Sequence, residues 1–512
     1  MNRRWQLLPV AAVLAGGLVA CGSGSGSGSG SSNSSAKAPS ILNIAVGQAP
    51  TGFDPFNNLE LPVEQIVQLY GAQLMGLTAT GDSGVPQLAK SLTESADRMS
   101  WTATLRPGLK FSDGTPLTAA DVVASFNYAK TSSGPTGKFV LYDTLSSVVA
   151  ANPTTVVFKV KKPTSLIPYL LADPGSSIWP ASGLAKGKSF FTQPISAGQY
   201  KIDSFDKVSG RVVLSRNPNY WGTQPKVTQI VYTVVPNDST RLAQLKSGTV
   251  DVAENFAPTL RSQLTGSVHE LTTLAPGTMN WLVFSDDSPI TGNKNVRQAI
   301  NLAIDRQQIL QVATSGLGST LNGIPWTQPE LLKSQTPITQ DVAKAKQLLQ
   351  GTPCQNGCTV KVVQPVSANA PTSQIALVMQ QQLKAIGVNL QIMNTPAAQV
   401  VSAIKSPNVD AYDSGAALGN PAPITVALEE VDPAADIFSS YALTYRSDAM
   451  HALVQQLVTA PQSEVNGIVA QINAQFAKDL PYLPLIQTPT LYGSRLPTSV
   501  VSVGLDSRLT VG

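Results

Sequence analysis

The chain has 512 residues, 42% of them hydrophobic and only 13% charged, with a formal net charge of +4. An average globular protein carries roughly 25% charged residues, and the basic residues here are dispersed rather than clustered, which excludes a nucleic-acid partner. The two histidines, His269 and His451, sit far apart and outside any ligand spacing, and no nucleophile–base set accompanies them, so neither a metal cofactor nor an enzyme is expected.

In chain order, Asn2-Arg3-Arg4 precede an apolar run from Leu7 to Val19. A basic start, a short apolar stretch and small residues before a cut describe a signal peptide over residues 1–20. The run is shorter than the roughly 20 apolar residues a membrane span needs. Leu18-Val19-Ala20-Cys21 fits a lipobox, making Cys21 the lipidated first residue of the mature chain. Each buried CH₂ of an acyl chain contributes about 0.8 kcal/mol, so two or three chains anchor firmly. Residues 22–40 are rich in Gly and Ser, a tether with a reach of roughly 25 Å. Losing Arg3 and Arg4 lowers the net charge to about +2, and no second apolar run reaches spanning length.

About 470 residues remain, enough for two or three domains. Ile41–Val46 alternates as a strand, and residues 64–75 read as a helix. Trp101, Ala103 and Leu105 alternate with Thr102, Thr104 and Arg106. Pro107-Gly108 suits a tight turn, so Leu109–Phe111 is expected to close a hairpin. Thr118-x-x-Asp121 is a capping box opening the next helix. Thr155–Lys159, Arg211–Ser215 and Val227–Val235 read as strands. Asp238 or Ser239 caps a helix to Ser247, which Gly248 ends, and Val250–Ala253 follows as a strand, a unit typical of α/β domains.

Met279–Phe284 is a strand, and Asn295–Arg306 is an amphipathic helix with Val296, Ile300, Ala303 and Ile304 on one face. Thr359–Val363, a helix over Thr372–Ile386 and Val388–Met393 make a second strand–helix–strand unit. Val409–Tyr412 is a strand, Asp413–Pro423 a loop, and two helices follow over residues 447–459 and 463–478. Residues 483–492 form a returning strand. Cys354 and Cys358 flank the turn dipeptide Asn356-Gly357. A structural disulfide is the favoured reading; a metal or redox CxxxC would want a nearby His or acid, and none is there. The pairs Asp286-Asp287 and Glu429-Glu430 read as solvated loop residues.

The run from Lys110 to Ser125, KFSDGTPLTAADVVAS, resembles the signature of the family 5 extracellular solute-binding proteins, the peptide and nickel receptors of ABC importers. Asn217-x-x-Tyr220-Trp221 is similar to a turn of that family, and Val296-Arg-Gln-Ala299 with Ala303-Ile-Asp-Arg306 is similar to another of its motifs. Ile195–Tyr200 resembles a third, with Ala197 in place of Gly and Gln199 in place of Pro. Asp479–Leu485 resembles a fourth, so the likeness runs from Ile41 to the C-terminus.

The resemblance implies an α/β, two-lobed type II periplasmic-binding-protein fold with an extra subdomain in lobe I. Lobe I would cover residues 41–275, with the subdomain at about 77–190, lobe II residues 276–482, and residues 483–512 the return to lobe I. Crossings are expected near Thr273–Trp281 and Tyr482–Gln487. It implies a monomeric, lipid-anchored receptor on the extracytoplasmic face of the membrane that hands its cargo to permease and ATPase subunits.

Peptide receptors of this family place an acid in the loop after the strand equivalent to Val409–Tyr412, where this chain has Ala416–Pro423 with Asn420 near that position. Dipeptide receptors use an Arg where Gln364, Pro365 and Val366 stand. The resemblance therefore implies an oligopeptide held by backbone and amide groups. The residues implied at the pocket are Asn57, Asn58, Leu59, Trp281, Trp326, Leu418, Gly419 and Asn420. For both tryptophans a packing role fits as well. An oligosaccharide, a metal chelate or haem is the alternative cargo, and a surface sensor or adhesin the alternative role.

Overall fold

The computed structural model describes residues 38–56, 61–78, 83–132, 144–271, 278–366, 372–396, 399–406, 408–416, 422–435, 438, 443–504 and 509–512. Strand β1 (Ile41–Val46) opens a seven-stranded sheet. Helix α1 (Leu61–Tyr70) follows. A four-stranded sheet is then built from β2 (Ala89–Glu94), β3 (Ser100–Leu105), β4 (Leu145–Asn152) and β5 (Thr155–Val160), in the order β2-β3-β5-β4. Between β3 and β4 lies helix α2 (Ala119–Thr131). The chain returns to the first sheet with β6 (Tyr200–Phe205), β7 (Val212–Arg216) and β8 (Gln229–Val234). Helix α3 (Asp238–Ser247), β9 (Val252–Ala253) and β10 (His269–Leu271) complete this part.

A six-stranded sheet begins with β11 (Thr278–Phe284). Helices α4 (Lys294–Ala303) and α5 (Arg306–Thr314) precede β12 (Ser319–Thr320) and β13 (Cys358–Pro365). Then come α6 (Thr372–Leu383), β14 (Val388–Thr395), β15 (Ala411–Ala416) and α7 (Pro423–Glu430). Helices α8 (Asp448–Thr459) and α9 (Val465–Asp479) lead to β16 (Tyr482–Thr488), and β17 (Tyr492–Ser494) rejoins the seven-stranded sheet. The sheet orders are β10-β17-β9-β1-β8-β7-β6 and β12-β16-β11-β15-β13-β14.

Local chemistry sets these elements. The Asp121 carboxylate accepts the backbone N–H of Thr118 at 2.9 Å, closing the first turn of α2. Gly248 ends α3 with φ +80, a conformation a Cβ would penalise. Asn301 and Arg306 are bonded to one another, and Arg306 also donates to the Pro484 carbonyl at 2.7 Å, tying the helical layer to β16.

Four expectations change. Leu109–Phe111 forms no hairpin strand: β3 pairs instead with β2 and with the distant β5, and residue 110 makes only an isolated bridge to Pro116. The single helix over residues 295–306 is two, because Ile304 is extended and Asp305 caps a second helix by accepting the Gln308 N–H. The strand expected at Val409–Tyr412 runs from Ala411 to Ala416, so Asp413 is in the sheet and not in a loop. Glu430, read as solvated, is buried at the end of α7, and Asp286 is paired with the buried Arg297 at 2.7 Å.

Candidate functional site

The two large sheets are joined at one place. In the seven-stranded sheet β10 lies beside β17, with Leu271 opposite Tyr492. In the six-stranded sheet β11 lies beside β16, with Thr278 opposite Thr488, and the Thr488 hydroxyl donates to the Thr278 carbonyl. The chain therefore leaves the first sheet after Leu271 and comes back to it at Tyr492. Residues 483–488 run within β16, so the return starts after Thr488. Three residues bridge Thr488 to Tyr492, which holds those strand ends within about 14 Å of each other.

Strand direction determines what faces this junction. β1, β8 and β9 are parallel, and they finish at Val46, Val234 and Ala253, beside Gly493 and Tyr492. β13, β14 and β15 are parallel too, and they finish at Pro365, Thr395 and Ala416, beside Met279. Six strand C-termini, three from each sheet, thus open onto one crevice. Ligands of open α/β sheets bind outside the carboxyl ends of the strands, and a cleft between two domains is where solutes are commonly enclosed.

On the first sheet's side, Arg241 is buried and braces the crevice loops. Its Nη1 donates to the carbonyls of Val235 at 2.6 Å and Pro236 at 3.0 Å, and its Nη2 donates to Asp238 at 2.6 Å and to the Asn255 carbonyl at 3.0 Å. Glu254, the residue after β9, is buried, which pushes its carboxyl up to about 8 against the opposing pull of Arg241 and a hydrogen bond from Gln65. Gln65 in turn donates to the Tyr492 hydroxyl at 2.8 Å, joining α1 to the returning strand.

On the second sheet's side, Asn280, Gln364 and Asp413 share one face of three adjacent strands. Gln364 Nε2 donates to Asp413 Oδ2 at 2.8 Å. Burial pushes the Asp413 carboxyl up to about 7, with the Gln364 bond working the other way. Beside this cluster, between α6 and β14, runs a groove of about 440 Å³ lined by Gln364, Gln380, Gln391 and Asn394.

Away from the crossing strands, the four-stranded sheet is tied to helix α8. The last turn of a helix leaves carbonyl groups without intrahelical partners, and those of α8 are met by the four-stranded sheet and the segment after β5. Arg98 Nη1 donates to Thr459 O at 2.8 Å, and Ser165 N and Oγ donate to Val458 O, each at 3.0 Å. Thr164 Oγ1 donates to Val458 O at 3.3 Å, and Lys162 Nζ reaches Gln455 Oε1 at 3.0 Å. The cationic Arg98 suits the negative end of the helix dipole.

The residues singled out in the sequence fall in three groups. Asn57, Asn58, Leu59, Leu418, Gly419 and Asn420, together with Cys21 and residues 1–37, lie outside the described residues. Trp281 and Trp326 are buried: the Trp281 ring packs on Tyr482 with centroids 5.2 Å apart, and Trp326 Nε1 donates to Asn473 at 2.9 Å. Cys354 and Cys358 form a disulfide. Sequence reasoning missed Asn280, Asp413 and the bridge at Arg98, none of which belongs to a recognisable motif. Among the described residues no group of three or more His, Cys, Asp or Glu could hold a metal ion, and no helix is long and apolar enough to cross a membrane.

Residues 84–429 match a family described as bacterial extracellular solute-binding proteins, family 5 middle. The glutathione-binding protein GsiB of Escherichia coli (strain K12) is 28% identical over 395 residues, which cover 76% of this chain and 75% of that protein. The ABC transporter-associated periplasmic binding protein DppA from Helicobacter pylori, in complex with the peptide STSA, matches with a TM-score of 0.75 at 21% identity, covering 92% of this chain and 98% of that one. NikA from Brucella suis, in complex with Fe(III)-EDTA, matches with a TM-score of 0.79 at 20% identity, covering 92% and 100%. The fold is the two-lobed α/β fold of type II periplasmic binding proteins.

Proposed function

The chain belongs to the bacterial extracellular solute-binding proteins of family 5, and from that premise we propose that it captures a peptide between its two lobes and delivers it, unaltered, to an ABC permease. The observation that carries this reading is the crevice on which six strand C-termini converge, spanned by only two crossing segments. A ligand touching both lobes favours the closed arrangement by its differential affinity, and the transporter reads that closed shape. In this reading lobe I comprises residues 41–271 and 492–512, lobe II comprises residues 278–488, and the four-stranded sheet is the subdomain of lobe I.

Asn57, Asn58 and Leu59, which follow β1 in the sequence, and Leu418, Gly419 and Asn420, which follow β15, are the residues we assign to contact with the solute. Trp281 follows closure through β11 and reports it by fluorescence. Trp326 serves packing. Cys21 carries the lipid anchor on the extracytoplasmic face, and the receptor works as a monomer. GsiB is named for glutathione and the DppA structure holds a peptide, which favours peptide-like cargo over the alternatives.

Native mass spectrometry of the purified protein tests this reading. A co-purified mass that fragments as a peptide supports it. A sugar, a metal chelate or haem in its place would overturn the peptide assignment.

A further inference from the structure

Two buried polar side chains at the crevice end of the six-stranded sheet, Asn280 and Asp413, are short of partners. The side chains of Asn280, Gln364 and Asp413 are almost fully buried. Neither the amide nitrogen nor the amide oxygen of Asn280 has a hydrogen-bond partner, and Asp413 Oδ1 has none either. Buried polar atoms are nearly always paired, and a buried carboxylate without a counter-charge is costlier still. Among the described residues no Lys, Arg or His side chain is bonded to Asp413, whose partner is the Gln364 amide.

The register shows how the three atoms are grouped. Asn280 stands opposite Gly415 and Leu282 opposite Asp413, so Asn280 and Asp413 are diagonal neighbours on one face, about 7–8 Å apart along the backbone. Asn280 Oδ1 packs over Gly415, where a Cβ would lie 3.3 Å from it. The Gly415 backbone is itself exposed, so the cluster lies directly beneath the crevice surface. Gln364 brings it to the groove beside α6.

We infer that Asn280, Gln364 and Asp413 form a subsite for a protonated nitrogen of the solute, an ammonium or a guanidinium. The inference rests on the reading of the crevice as a solute site. Such a group donates to Asp413 Oδ1 and Asn280 Oδ1 together and supplies the countercharge that the protein lacks there. The bound solute therefore carries a cationic group.

The test compares wild-type protein with Asp413→Asn, which keeps the shape and the bond from Gln364. Titration calorimetry with reduced glutathione and with the peptide Ser-Thr-Ser-Ala, each free and N-acetylated, reads the charge preference. Acetylation should weaken binding to the wild type at least about tenfold, the loss of one charge-assisted hydrogen bond, and should change nothing in Asp413→Asn. Equal binding of the free and acetylated forms to the wild type would overturn the inference. Thermal unfolding without solute at pH 8.5 gives a second, independent readout. A binding-site acid lacking its partner strains the empty protein, so Asp413→Asn should unfold at a higher temperature; an unchanged or lower temperature would overturn the inference. Should the wild type bind neither probe in either form, the peptide assignment fails, and the unfolding comparison alone decides the charge of the subsite.

Discussion

Arg98 donates to the carbonyl oxygen of Thr459 at 2.8 Å, a bond from the turn between β2 and β3 to the end of α8. Arg98 sits in a tight turn at φ +56 and is also paired with Glu94 at 2.9 Å, so its side chain is aimed by local structure before it reaches α8. With Ser165, Thr164 and Lys162 it forms a latch that ties these parts of the chain together.

Removing the latch should open the protein. The double variant Arg98→Ala, Ser165→Ala deletes the Arg98 bond and the Ser165 hydroxyl bond, together about 2 kcal/mol at ordinary hydrogen-bond strengths. That shifts the open–closed ratio by about 30-fold. Fluorescence energy transfer between dyes placed on the two lobes should report a longer mean distance, with the far-ultraviolet circular dichroism unchanged. An unaltered distance would mean that the crossing strands alone set the arrangement.

Stability should fall as pH rises through neutrality. Burial pushes Glu254 up to about 8, and Asp413 and Glu430 up to about 7 each. In the unfolded chain these carboxyls ionise near pH 4, so between about pH 4.5 and 8 the folded state holds protons that the unfolded state has released. Stability from each group is full below that window and is lost across it, at up to about 1.4 kcal/mol per pH unit. Asp479 acts in the opposite sense at lower pH. Burial alone would raise it, yet hydrogen bonds from Lys294, Ser447, Gln475 and Tyr445 hold it at about 2. Its contribution is present above about pH 4 and is lost as the pH falls toward 2. Unfolding temperatures measured from pH 3 to 9 should peak near pH 4 to 5 and decline to pH 8. Glu430→Gln should flatten that decline.

The disulfide should matter for stability and not for capture. Cys354–Cys358 closes a five-residue loop at the start of β13, at the opposite end of that strand from Pro365 and the crevice. Loop-closure entropy for so short a ring is about 2 kcal/mol. Serine at both positions, or a reductant, should lower the unfolding temperature while leaving the solute affinity measured by calorimetry unchanged. A loss of affinity would place this loop in the binding machinery.

Trp326 tests packing against recognition. Its indole N–H satisfies Asn473, which also donates to the Leu331 carbonyl and to Ser334. Trp326→Phe leaves Asn473 Oδ1 unpaired in the core and should cost about 1–3 kcal/mol in chemical denaturation. Solute affinity should hold. A large affinity change with little change in stability would return Trp326 to the pocket.

Much of the fold could be read in the residues because local chemistry fixes it. Alternation marked β1, β3 and β5, the Thr118–Asp121 pair marked α2, and Gly248 marked the end of α3. Pairing partners were less legible. The alternation at Trp101–Leu105 says that a strand exists, but its neighbour β5 lies some fifty residues away, and a turn-like Pro107-Gly108 pointed to the wrong partner. The break at Ile304 had a signal in Asp305, a good N-cap, which the continuous apolar face of the helix before it concealed. At the site, Trp281 and Trp326 are large apolar residues, for which a core position and a pocket wall look alike in the sequence. Asn280 and Asp413 left no trace in periodicity, since a polar residue on a buried strand face looks like a strand end. Asp413 was accordingly read as the start of a loop.

Solute is expected to draw the two lobes together about the place where the chain passes from β10 to β11 and from β16 to β17. Small-angle X-ray scattering of the protein, first stripped of bound solute and then given the solute identified by native mass spectrometry, measures this most directly. A smaller radius of gyration and a narrower distance distribution on loading are the predicted result. Superimposable scattering with and without saturating solute would contradict the account.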